Sequence, residues 1–104
     1  MNKFDDRKKS FEQKFAKDQE LQFKISARRN KYLAEWAISR LGKKEDQKQS
    51  YVLEIIKADM QEAGDDDVFR KVKKDFENSA ISMDDSEIRN QMSLALERAE
   101  KDFK

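Results

Sequence analysis

ELQFKISARRNKYLAEWAISRLGKK, residues 20–44, is the stretch whose reading decides the fold. Leu21, Ile25, Tyr32, Leu33 and Trp36 recur at helical spacing, and Ala37, Ile38 and Leu41 widen the same apolar face near its end. Nothing β-branched clusters here, and neither glycine nor proline interrupts the run before Gly42. Gly42 suits the left-handed conformation that closes a helix, and Lys43 and Lys44 complement the negative carbonyl end. The spacing predicts a helix over about 20–41.

Downstream, the pattern repeats three times. A second helix is expected over 46–62, carrying Tyr51, Val52, Ile55, Ile56 and Met60 before Gly64. Asp65, Asp66 and Asp67 read as N-caps and first-turn charge for a third helix over 67–78, with Val68, Phe69, Val72 and Phe76 as its face. Asn78 and Ser79 end it. Asp84, with Glu87 three positions on, has the relation of a capping box for a fourth helix over 84–103. Ile88, Met92, Ala95, Leu96, Ala99 and Phe103 line that helix. Four amphipathic helices with short connections bury their stripes against one another, so the expected fold is all-α, a four-helix bundle.

Composition narrows the chemistry. The 104 residues contain no proline and two glycines, too few turn residues for a sheet protein. Cysteine and histidine are both absent, which removes disulfides, thiolate nucleophiles, Cys/His zinc sites and imidazole acid–base catalysis. No pocket-like pattern recommends carboxylate or lysine chemistry, so a non-enzymatic role without cofactor or metal is expected. No apolar run spans a bilayer and no secretory leader precedes the helices, which points to a cytoplasmic protein that is not membrane-inserted. The net charge of +1 conceals an asymmetry: residues 1–44 hold 13 Lys/Arg against 6 Asp/Glu, and residues 45–104 hold 10 against 16.

Residues 1–17 stand apart from the bundle of 18–104. Phe4, Phe11 and Phe15 lie seven and four apart, within a narrow arc of a helix, among charged or polar neighbours. An apolar stripe outside the dense repeat suggests an arm, flexible or helically extended, that buries itself in a partner. Phe4, Asp5, Asp6, Arg7, Lys9, Phe11, Glu12, Lys14, Phe15 and Ala16 are its candidate contact residues. Two alternatives stay open: folding back or pairing in a homodimer, and a membrane-surface helix, against which Asp5, Asp6 and Glu12 interrupt the basic face.

A second constellation is Arg28, Arg29 and Lys31 with Trp36, which reads either as a weak ATP or ADP site or as a solvated face beside a core tryptophan. The aspartate run lacks the alternating ligands, central glycine and distant glutamate of a calcium loop. The basic front half brings no nucleic-acid recognition motif and no interleaved aromatics.

FDDR at 4–7, Glu12, KFA at 14–16, Asp18, Glu20, FK at 23–24, ARRNK at 27–31, EWA at 35–37 and GDDDVFRK at 64–71 together resemble the zeta subunit of the alphaproteobacterial F-type ATP synthase, a family of small ATPase inhibitors. The resemblance is dense over 4–43 and 64–71. Lys8 stands where the family commonly carries an acidic residue, and Ala63 where it often has proline. The resemblance implies a four-helix domain behind an N-terminal arm. That arm inserts as a helix at a catalytic interface between the alpha and beta subunits and reaches toward the gamma shaft, stopping hydrolysis while leaving synthesis comparatively free. It would place the chain in the cytoplasm, peripheral to the inner membrane through the synthase. The alternative function is an adenine-nucleotide-binding regulator that does not inhibit the ATPase directly.

Overall fold

The computed structural model describes residues 3–61 and 64–103, with side chains from Gln19 onward. Four α-helices follow one another: α1 (Lys3–Leu41), α2 (Lys48–Asp59), α3 (Asp66–Asn78) and α4 (Asp85–Asp102), with a 3-10 turn at Glu45–Gln47 ahead of α2. The all-α, four-helix expectation holds.

Helix α1 begins at Lys3 and runs on through the stretch where the apolar repeat thins, the helically extended one of the two forms left open for the arm. The apolar repeat does thin through Lys17, Asp18, Gln19, Glu20 and Gln22, yet lysine, glutamine and glutamate are good helix formers. A Glu20–Lys24 pair at 3.3 Å, four residues apart, adds local support. The repeat reports burial, whereas helix continuity needs only local propensity. At 39 residues, α1 is about 58 Å long.

Helix α1 lies against α4 and α2, and α3 closes the bundle by packing mainly on those two. The core gathers Leu33, Ala34, Ala37 and Ile38 of α1, Tyr51 and Ile55 of α2, Val68, Val72 and Phe76 of α3, and Ile88, Met92 and Ala95 of α4. Trp36 meets Phe76 edge to face, with ring centroids 5.5 Å apart, which is the favoured geometry for aromatic quadrupoles. Leu21, Met60 and Leu96, expected on the apolar faces, are instead exposed.

Helix ends follow two designs. At the end of α1, Gly42 adopts φ +73° and the Lys43 amide donates to the Ile38 carbonyl at 3.2 Å, as the glycine suggested. The end of α3 repeats this wrap without a glycine: Ala80 sits at φ +55°, and the Ile81 amide donates to the Phe76 carbonyl at 2.9 Å. N-termini depart from the sequence reading. Asp65 and Asp84 occupy the N-cap positions of α3 and α4, but neither side chain caps. The Asp65 and Asp66 carboxylates instead accept from Arg89 at 3.3 and 2.8 Å, and the Arg89 guanidinium lies 4.1 Å over the Phe69 ring. Glu87 accepts from Gln91 at 3.0 Å rather than closing a capping box.

Candidate partner-binding surface

One uninterrupted helix carries the candidate arm positions and the bundle. Positions 4, 5, 6, 7, 9, 11, 12, 14, 15 and 16 all fall on α1. The side chains of Phe4, Asp5, Asp6, Arg7, Lys9, Phe11, Glu12, Lys14, Phe15 and Ala16 lie outside the described residues.

The second constellation divides between surfaces. Arg29 is buried, and its Nη2 donates to Asp59 Oδ1 at 3.1 Å while its Nε donates to Asn30 Oδ1 at 2.9 Å. Asn30 Nδ2 closes the triangle with Asp59 Oδ2 at 3.1 Å. Asp59 ends α2, where the helix dipole is negative and a carboxylate is disfavoured, and Arg29 offsets that charge. Arg29 therefore fastens α2 to α1.

Arg28 turns toward α4, pairing with Asp102 at 3.5 Å, with its guanidinium 5.4 Å from the Phe103 ring centroid. The Tyr32 hydroxyl also donates to Asp102, and Arg98 covers the Tyr32 ring at 3.8 Å. Trp36 packs on the core, its indole N–H shielded and without an acceptor among the described residues. Lys31 is exposed. Of the four residues, Arg28 and Lys31 share a groove, whose other wall comes from α2.

That groove exposes a feature the sequence reading passed over. It is lined by Phe23, Ala27, Val52, Ile56 and Phe103 together with Lys24, Arg28 and Lys31, and encloses about 610 Å³. A second groove of about 380 Å³ adjoins it at Phe23, Ala27 and Ile56, and Met60 belongs to its wall. Phe23 is 65% exposed and Met60 74%. A signal for Phe23 existed: it stands two positions from both Leu21 and Ile25, which on a helix is nearly the opposite side. Met60 carried no such signal, because its spacing fits the α2 stripe and only the end of the bundle leaves it uncovered.

On the α2–α3 side, a polar network ties Tyr51 to the surface. Burial pushes the Tyr51 phenol well above its ordinary range, and its 2.8 Å hydrogen bond to Asp75 adds to the shift. Burial alone would lower the Lys71 ammonium, but its bonds to Asp75 at 3.0 Å and Glu54 at 3.1 Å outweigh that and raise it. Both groups are held in their protonated forms, which suits a structural clasp.

No helix among the described residues is long and apolar enough to cross a membrane. No curated protein matches the chain. A protein whose structure was solved in solution by NMR is similar at 36% identity and a TM-score of 0.70, the likeness covering 80% of this chain and 94% of the other. The family model described as ATPase inhibitor subunit zeta matches residues 1–102, which takes in the arm positions and all four helices. The chain belongs to the ATPase inhibitor subunit zeta family.

Proposed function

We propose that this chain inhibits ATP hydrolysis by the F-type ATP synthase, its segment 1–17 inserting as a helix at a catalytic interface between the alpha and beta subunits and reaching toward the gamma shaft. The observation that carries this reading is the family match through the N-terminal segment as well as the bundle. The chain then acts as a regulatory, non-catalytic subunit in the cytoplasm, held peripheral to the inner membrane by the synthase.

Elementary physics is compatible with the mechanism. Seventeen helical residues reach about 25 Å, enough to cross an interface between subunits. Burying three phenylalanine side chains is worth about 5–9 kcal/mol gross. Association costs on the order of 4–15 kcal/mol in rigid-body freedom, so the stripe alone binds weakly. Ion pairs from Arg7, Lys9 and Lys14, or a second contact from the bundle acting at high effective concentration, supply the remainder.

The nucleotide reading loses two of its four residues to structural work, since Arg29 is committed to Asp59 and Trp36 to the core. Replacing Phe4, Phe11 and Phe15 together by serine in the full chain tests the inhibitory reading. Hydrolysis by the purified synthase at saturating protein should recover almost completely. Equal inhibition by the wild type and the triple variant would refute the arm.

A further inference from the structure

Where α1 leaves the bundle, it does so beside an uncovered apolar shelf. Phe23 and Ala27 of α1, Val52, Ile56 and Met60 of α2, and Phe103 just past α4 surround the two adjoining grooves. Phe23 and Met60 are more than half exposed, whereas Ile56, Val52 and Phe103 are partly buried floor. Along one edge run Lys24, Arg28 and Lys31 at four- and three-residue spacing on α1, and although Lys24 pairs with Glu20 and Arg28 with Asp102, the edge keeps a net positive charge. The opposite edge is polar: Gln22, Ser26, Asn30 and Asp59. An apolar floor with one cationic edge fits a protein surface that is apolar at its centre and acidic on one side.

We infer that this shelf is the bundle's own docking site on the ATP synthase, seated on an apolar, acidic-edged surface beside the place where the arm inserts. The inference rests on the inhibitory reading above. Its geometric support is the continuity of α1: position 15 and position 23 belong to the same helix, eight residues and about 12 Å apart. A subunit that grips that helix as far as residue 15 has its body within reach of Phe23. The weak affinity of a three-phenylalanine stripe requires such a second contact, and this is where the exposed aromatic and methionine side chains of α1 and α2 gather.

Two full-length variants separate the shelf from the arm: Phe23→Ser with Met60→Ser, and the triple arm variant. Both shelf side chains are largely solvent-exposed, so the double variant should keep the wild-type thermal midpoint. Its concentration for half-inhibition of the purified synthase should rise by about tenfold or more, with full inhibition still reached at saturation. Reversing the cationic edge with Lys24→Glu and Lys31→Glu should slow association more than it speeds release. Hydrogen exchange on the wild-type complex gives a reading free of substitution: amides at 20–28 and 54–61 should gain protection on binding.

An unchanged half-inhibition concentration in the shelf variant, alongside a disabled arm variant, overturns the shelf and leaves the inhibitory reading standing. Wild-type inhibition by both variants overturns the inhibitory reading and the shelf with it. A wild-type dimer in sedimentation that the shelf variant dissolves assigns the surface to a second copy and overturns the proposal. So does binding to anionic phospholipid vesicles that the shelf variant loses.

Discussion

Two parts of α1 within the residues whose side chains are described share one helix and little else. Within the bundle, Leu33, Ala34 and Ala37 are completely buried, while residues 19–24 of the same helix are exposed on every side, Phe23 at 65%. Hydrogen bonding along the backbone is satisfied equally in both, because a helix pairs its own amides wherever it runs. What differs is the company: α2 and α4 pack along one part, while the other meets only the end of α2 and Phe103 across open grooves. The comparison teaches that an apolar residue on this helix is structural or functional according to whether a neighbouring helix reaches it.

The strongest way to break that contrast is to remove one apolar side chain from each part. Leu33→Ala should cost about 2–5 kcal/mol in denaturant unfolding, since a fully buried leucine leaves a cavity. Phe23→Ala, though it deletes a larger side chain, should stay within about 0.5 kcal/mol of wild type. Comparable losses at the two sites would mean that Phe23 is covered in solution.

The boundary between the parts is fastened by Arg29. Arg29→Ala leaves the Asp59 carboxylate with the Asn30 amide alone and the Asn30 side-chain carbonyl without its donor, and should cost about 3 kcal/mol. Replacing Arg29 by methionine, Asn30 by alanine and Asp59 by leucine together, so that no buried polar group is left orphaned, should restore most of that loss. A triple variant no better than the single one would show that the triangle contributes more than charge matching.

A smaller effect tests the far end, where no partner is proposed. Ala80 holds a left-handed conformation that glycine reaches without steric cost, so Ala80→Gly should stabilise the bundle by about 1 kcal/mol. Gly42→Ala, at the equivalent position closing α1, should destabilise by a similar amount. Opposite signs at the two sites would be visible as opposite shifts in thermal midpoint.

The smallest expected effect at neutral pH concerns Tyr51. Its phenol in the folded chain lies above the ordinary value of 10.0, so the folded state holds a proton that the unfolded state releases. Stability from this source is intact below pH 10 and falls as pH rises beyond it. Lys71, also raised from 10.5, has the same sign. Unfolding measured from pH 7 to 11 should show a plateau and then a decline, and Tyr51→Phe should flatten the decline.

Periodicity alone was enough to find four helices and most of the core, because Leu33, Tyr51, Ile55, Val68, Val72, Phe76 and Ile88 each recur with the turn of a helix. It left open whether the helix continues ahead of residue 20, since apolar spacing ends where burial ends and the backbone continues. The aspartates before α3 and α4 looked like caps, but Arg89 comes from a distant part of the chain to claim Asp65 and Asp66. Arg29 looked like one member of a basic cluster until Asp59 met it across α2.

The order of residues thus determined the helices, their apolar faces, the absence of histidine and cysteine chemistry, and the family, all of which depend on identities and short-range spacing. Tertiary packing alone decided that Arg29 and Arg28 serve different neighbours, that Ala80 is held left-handed, and that Phe23 and Met60 remain uncovered where α1 leaves the bundle. Those outcomes depend on which helix ends where in space, and no spacing within a single helix encodes the length of another.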